Sequence, residues 1–272
     1  MDKIKQGDVV GRISHGRDIL FKVKRIITIK NQKKIVILKG ITERIEADCD
    51  IDDLYLIPKK EIKNELDKID RKIEKRVLRE DTRRAGMTIN GKILHLDGDR
   101  KYSEKSLRYY HKMGLQAIVK NIPENRQAKM VYNLLMYYQP DVLVITGHDG
   151  MIRSETGYHD IYNYRNSRHF IQTVKEARRY ERENNKDLVI FAGACQSYFE
   201  ALIMAGANFA SSPARILIDI LDPLIVAEKI ATTDTVKYVT IRDIEDELRD
   251  GKRGVGGVGA NRKEKKTNVI CL

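Results

Sequence analysis

Two apolar runs of this chain end in small residues and one reactive side chain. Asp141-Val142-Leu143-Val144-Ile145 continues into Thr146-Gly147-His148-Asp149-Gly150, and Asp187-Leu188-Val189-Ile190-Phe191 into Ala192-Gly193-Ala194-Cys195-Gln196-Ser197. A thiol becomes a nucleophile when a base or a helix N-terminus lies beside it, and a helical run, YFEALIMAG, begins just beyond Cys195. Gly193 and Ala194 leave room for a substrate backbone. The Cys195 N–H, with that of Asp149 or Gly150, is then placed to hold an oxyanion. Taken singly, Cys195 reads as a buried structural thiol and His148 as a hydrogen-bonded loop histidine. Together, at matching strand ends, they read as nucleophile and acid–base partner. A third catalytic carboxylate is not evident, and a dyad suffices for a thiol. No metal or organic cofactor is expected.

Such a pair needs a sheet to hold it. From Gly91 onward, continuous apolar segments (KILHLDGD, LQAIVKNI, DVLVITGHDG, DLVIFAGACQS, ANFASSPARILI) alternate with amphipathic ones (SEKSLRYYHKMG, ENRQAKMVYNLLMYYQ, RHFIQTVKEARRYERENNK, YFEALIMAG). That alternation predicts an α/β fold, a mostly parallel sheet covered by helices on both faces. Ligands of such sheets bind beyond the carboxyl ends of the strands, where His148 and Cys195 fall. Residues 1–57 differ. DVVGRI, ILFKVKRIITI, KKIVILKGI, ERIEAD and LYLI alternate at period two between turn residues, which predicts five short strands in a small SH3-like β-barrel. A barrel of that kind is a docking or structural module. Between them, Ile62, Leu66, Ile69, Ile73 and Val77 make one narrow apolar stripe on a charged helix lying on a neighbouring domain. Thr82-Arg83-Arg84-Ala85-Gly86 follows as an exposed joint. The domains are thus 1–57, a linker helix and joint at 58–90, and an α/β domain at 91–272.

Composition limits the alternatives. Net charge is +12 with no tryptophan, which favours anionic partners without a basic–aromatic RNA motif, so nucleic-acid binding is not expected. The three cysteines Cys49, Cys195 and Cys271 contain no CxxC, which argues against a disulfide framework or zinc site. No run is long and apolar enough to span a bilayer, and MDKIKQGDVV lacks the apolar core of a secretory signal. A cytoplasmic protein is expected.

The order of apolar strand, His-containing turn, apolar strand and Ala-Cys resembles the caspase–clostripain–gingipain–separase group of cysteine peptidases over about residues 91–225. With TGHDG at 146–150, GACQS at 193–197 and the N-terminal β module, the whole chain resembles the YabG family of sporulation-specific cysteine proteases. The resemblance implies a caspase-like fold and a dyad of His148 and Cys195. It also implies an endopeptidase that cuts spore coat and other spore proteins after arginine, in the mother cell of a sporulating bacterium or associated with the spore coat. Two departures stand out. Asp149 occupies the place after the histidine where the wider group often has glycine, and Gly193 stands where arginine-specific relatives often have aspartate. An acid for the substrate guanidinium must therefore come from elsewhere. Asp97 and Asp99, at the end of the KILHL strand, are the first candidates, and Asp219 and Asp222 the second.

Rival signals weigh less. Gly254-Val255-Gly256-Gly257-Val258-Gly259 fits GxGxxG by letter, but too little chain follows for a dinucleotide site, and it reads as a flexible loop. LHLDGD resembles an Mg²⁺-binding strand end and leaves His148 and Cys195 unexplained. GACQS resembles an amidotransferase elbow, which wants a histidine after the cysteine, and none follows. His95 and the helix tyrosines read as packing residues. The alternative to a peptidase is a non-enzymatic basic scaffold docking an anionic partner. Self-cleavage is expected near Arg83 and Arg84, with Arg253 and Arg262 in a mobile tail as competing sites.

Overall fold

A computed structural model of the chain describes residues 4–29, 32–81, 91–152 and 157–262. The five N-terminal segments form β1 (Val9–Arg12), β2 (Phe21–Thr28), β3 (Lys34–Gly40), β4 (Glu46–Asp50) and β5 (Leu54–Leu56). They make one antiparallel sheet in the order β4-β3-β2-β1-β5. The ERIEAD segment differs from expectation. Its strand starts only at Glu46, and Glu43, Arg44 and Ile45 lie outside it.

Helix α1 (Lys59–Asp81) follows, with Ile73 buried and Ile69 and Val77 packed on the core of the second sheet. Ion pairs Lys105–Asp70 and Lys112–Glu74 fasten it to the next helix.

The remaining elements are β6 (Ile93–Asp97), α2 (Arg100–Lys112), β7 (Ala117–Asn121), α3 (Glu124–Tyr138), β8 (Val142–Thr146), α4 (Ser167–Asn184), β9 (Val189–Ala192), α5 (Phe199–Met204), β10 (Phe209–Ser211), α6 (Asp222–Thr232) and β11 (Val255–Gly257). The sheet order is β11-β10-β9-β8-β6-β7, parallel except for β11. Alternate side chains of the buried strands feed two cores. Ile93, Val142, Val144, Val189 and Phe191 pack with α2 and α6, while Leu94, Leu96, Leu143, Ile145 and Ile190 pack with α3, α4 and α5. The sheet is therefore covered on both sides.

Two features depart from the sequence reading. Helix α6 was not anticipated; DPLIVAEKIAT is almost wholly buried, and a helix apolar on every side lacks the amphipathic period that signals helix. The glycine-rich run is not a loop, since Val255–Gly257 pairs antiparallel with β10. A Cβ at Gly256 would lie 2.8 Å from the Phe199 ring, and one at Gly257 would lie 2.2 Å from Asn208 O. Close packing, rather than a phosphate, explains those glycines.

Candidate active site

Strand register brings the chemistry to one edge. Asp97 pairs with Thr146 across β6–β8, and Ile145 with Ala192 across β8–β9, so the segments after Asp97, Thr146 and Ala192 emerge side by side. Beyond β9 the chain turns through Gly193 at φ +113°, where a Cβ would meet Ser211 Oγ at 2.6 Å. That turn delivers Cys195. Beyond β8, Gly147 delivers His148, whose N–H donates to Glu124 Oε1 at 2.8 Å. Glu124 fits because Gly98 and Gly147 carry no Cβ; one at either would lie within 2.2 or 2.4 Å of its carboxylate.

His148 is fully buried, edge-on to Tyr102 at 5.4 Å between ring centres. Its Nε2 lies 2.9 Å from Gly40 O. A carbonyl only accepts, so Nε2 carries the hydrogen and Nδ1 is the bare nitrogen; Nδ1 is buried and has no hydrogen-bond partner among the described residues. Burial, helped by Lys39, pushes the imidazole down to about 3, so it is neutral.

Cys195 is equally buried, packed among the apolar residues of the N-terminal sheet and Ile218. The Ile218 N–H points at Sγ from 3.3 Å. Burial pushes the thiol well up, and Glu43 adds to the shift. The helix expected beyond Cys195 is α5, six residues long with Tyr198 as its N-cap. Cys195 and His148 do not hydrogen-bond each other.

What lies over this edge is the chain's own Arg44. Its carbonyl oxygen accepts from Cys195 N at 3.3 Å and from Asp149 N at 3.2 Å. The Gly150 N–H instead donates to Asp149 Oδ1 at 2.9 Å. The pairing continues with Glu46 N donating to Asp149 O at 2.7 Å. The Arg44 side chain is fully buried, its guanidinium carbon 4.4 Å over the Tyr102 ring and its Nη1 donating to Asp97 Oδ2. Among the described residues, Arg44 Nε and Nη2 have no hydrogen-bond partner.

The acids named from sequence separate clearly. Asp97 is fully buried and also accepts from Thr146 Oγ1 and from Asp99 N, each at 2.8 Å. Burial alone would raise its carboxyl, but the Arg44 guanidinium holds it below the usual range. Asp99 instead caps α2, accepting from Lys101 N and Tyr102 N, and pairs with Lys39 at 3.0 Å. Asp219 and Asp222 are engaged at the start of α6: Asp222, its first residue, accepts from Asp219 N at 2.8 Å and from Arg249 N at 3.1 Å, and Asp219 pairs with Lys72 of α1.

Two roles are absent from the sequence reading. Arg44 lies inside a segment read as strand. Asp149 is read there only for its backbone N–H, yet its carboxylate accepts from Ser167 Oγ, from Ser197 Oγ at 2.9 Å and from Asn166 N at 2.8 Å. It thereby ties the His148 turn, the Cys195 turn and the start of α4 together. Nothing in sequence marks that role, because its partners are 18 and 48 positions away.

Arg83, Arg84 and Cys271 lie outside the described residues. Arg262 is not in a mobile tail; it is buried and donates to Ile230 O and Thr233 O at 2.9 and 2.7 Å. Arg253 closes a short 3₁₀ turn. Among the described residues no cluster of His, Cys, Asp and Glu is arranged to hold a metal, and no helix is long and apolar enough to cross a membrane.

A family model described as YabG peptidase U57 matches residues 5–268. The sporulation-specific protease YabG of Bacillus subtilis (strain 168) is 36% identical over 275 residues, covering 93% of each chain. Among solved structures, the receiver domain of the histidine kinase CKI1 from Arabidopsis thaliana aligns over 43% of this chain and 79% of its own. It does so at 15% identity and a TM-score of 0.28, too low to inform fold or function.

Proposed function

The chain belongs to the YabG peptidase U57 family and is a peptidase; from that premise we propose that it is a cysteine endopeptidase cutting after arginine, with spore coat and other spore proteins as substrates during sporulation. Its α/β domain is read as caspase-like and its N-terminal sheet as an SH3-like module. One observation carries the reading. A single arginine has its carbonyl oxygen on the N–H groups of Cys195 and Asp149 while its guanidinium meets Asp97 at the end of the neighbouring strand. That is how a substrate arginine preceding a scissile bond would have to lie.

In this mechanism His148 Nδ1 receives the thiol proton and Cys195 Sγ attacks the carbonyl carbon. The Cys195 and Asp149 N–H groups stabilise the oxyanion; losing one such donor costs about 3 kcal/mol. The carbon–nitrogen bond then breaks as His148 returns the proton to the leaving amine. Water hydrolyses the thioester, giving an arginine carboxylate and the free thiol. Asp97 selects guanidinium through a charge-assisted hydrogen bond, and Tyr102 supplies a cation–π face, a combination that suits arginine better than lysine.

The test is hydrolysis of internally quenched peptides with arginine, lysine, glutamate or leucine before the cut, with and without a thiol alkylator and beside Cys195→Ala. Cleavage after arginine that alkylation and Cys195→Ala both abolish supports the proposal. Undiminished cleavage by Cys195→Ala sinks it, and a scaffold would cut nothing.

A further inference from the structure

The occupant of the site is built into the chain. Residues Gly40 to Glu46 leave β3 and return as β4 around a closed loop, with Gly40 N–H donating to Ile45 O at 2.8 Å and Ile41 N–H to Leu20 O at 2.8 Å. The loop tip is carried over the sheet edge, and Ile45 forms a parallel bridge with Asp149. A Cβ at Gly150 would lie 2.1 Å from Glu46 O, so the glycine permits this close approach.

A structural buried arginine normally spends most of its donors. Here Nε and Nη2 are buried and unmatched among the described residues, whose only side-chain acceptor for Arg44 is Asp97. The main chain shows the opposite: the carbonyl is held by two N–H groups, as a reacting carbonyl requires. An arginine that leaves two guanidinium donors unmatched while two N–H groups hold its carbonyl fits a residue presented for reaction better than one installed for stability alone. A cleft of about 1420 Å³ is lined in part by Ile45, Glu46, Met151, Gln196 and Leu217, so it borders the residue that follows Arg44.

We propose that the Arg44–Ile45 peptide bond is a substrate the enzyme cuts within its own chain, and that until this cut Arg44 fills the arginine pocket against other substrates. The inference rests on the peptidase reading above. In the reaction the Cys195 Sγ–Arg44 carbon bond forms and the Arg44–Ile45 carbon–nitrogen bond breaks. The proton taken from the thiol goes through His148 to the Ile45 nitrogen. Water then splits the thioester, leaving Arg44 as a carboxylate and Ile45 as a new N-terminus. The cut separates β1, β2 and β3 from β4 and β5, which remain paired with them at the two edges of one sheet. The two pieces thus stay associated after cleavage, and opening the pocket requires only that the Arg44 end swing out.

The test follows intact mass and N-terminal sequence of freshly purified full-length chain over time, beside Cys195→Ala, Arg44→Ala and Arg44→Lys. Hydrolysis of an arginyl peptide is measured on the same samples. The proposal expects wild type to resolve into 1–44 and 45–272, at a rate unchanged by tenfold dilution, with peptide hydrolysis appearing as the cut proceeds. Cys195→Ala stays whole and inactive. Arg44→Ala stays whole but hydrolyses the peptide without a lag, and Arg44→Lys is cut roughly tenfold more slowly than wild type. Arg44→Lys keeps a cation at Asp97, so it reports even where Arg44→Ala fails to fold. A wild-type chain that hydrolyses the peptide yet stays joined at Arg44–Ile45 overturns this inference alone, as does cutting that scales with concentration. Absence of hydrolysis by wild type, Arg44→Ala and Arg44→Lys alike overturns the peptidase reading itself.

Discussion

Arg44 donates through Nη1 to Asp97 Oδ2 across 53 positions of sequence, and both residues are wholly buried. A buried carboxylate without a cation is costly, and so is a buried guanidinium without an anion. This pair therefore joins the N-terminal sheet to the end of β6, and under the proposed function the same carboxylate would receive a substrate guanidinium. Removing both partners together avoids stranding either charge.

In an Arg44→Ala background, Asp97→Asn should lower kcat/KM for arginyl peptides by roughly 10- to 100-fold, the value of a hydrogen bond to a charged group. Leucyl peptides should be nearly unaffected. Asp99→Asn in the same background should keep the arginine preference, since that side chain caps α2 and pairs with Lys39, and should cost about 0.5 kcal/mol of stability, because asparagine caps as well as aspartate and only the ion pair is lost. Steady-state kinetics on matched peptides, with urea unfolding, separate the two. Equal loss of preference in both variants would contradict the assignment of Asp97.

Asp149 acts through other groups. Its carboxylate holds Ser167, Ser197 and the Asn166 N–H and so fixes the spacing between the Asp149 and Cys195 N–H groups. Asp149→Ala should lower kcat by about 100-fold, the scale of one misplaced oxyanion donor, while KM changes little. Ser197→Ala should show the same split on a smaller scale. A variant that raises KM at unchanged kcat would assign Asp149 to substrate binding instead.

The sequence showed the α/β domain because apolar runs at the right spacing leave few alternatives, and it put His148 and Cys195 beyond neighbouring strands because each follows such a run. It also placed Asp97 at the right edge, although it could not separate Asp97 from Asp99; that distinction depends on which carboxylate turns back to cap a helix. Arg44 was illegible for a different reason. Its significance comes from docking one sheet on another, and no local period records that. Helix α6 and β11 were missed because full burial in one case and glycine packing in the other suppress the signals that mark helix and strand.

Gly193→Ala should destabilise the fold by about 1–3 kcal/mol, because φ +113° is strained for any L side chain and the new methyl would press on Ser211 Oγ. Chemical denaturation measures it. A loss below 0.5 kcal/mol, about what a neutral surface change costs, would show that the turn before Cys195 relaxes freely.

His95 supplies a pH signature. It is buried between Thr146 Oγ1 at 2.7 Å and Tyr110 Oη at 3.1 Å, and burial pushes it down to about 3 from 6.5. The unfolded chain thus binds a proton below pH 6.5 that the folded chain refuses, so stability is fully present above 6.5 and falls on acidification toward 3. Between pH 6.5 and pH 4 wild type should lose about 3 kcal/mol relative to His95→Gln. Parallel pH dependences of the two proteins would mean that His95 is protonated in the fold.

The most direct test of the central claim is where an arginyl chloromethyl ketone attaches. With the Arg44→Ala chain, peptide mapping should find one adduct, on Cys195, formed in step with loss of peptide hydrolysis and strongly slowed by His148→Ala. Complete inactivation with Cys195 unmodified, or labelling of Cys49 in its place, would contradict a mechanism in which Cys195 is the nucleophile.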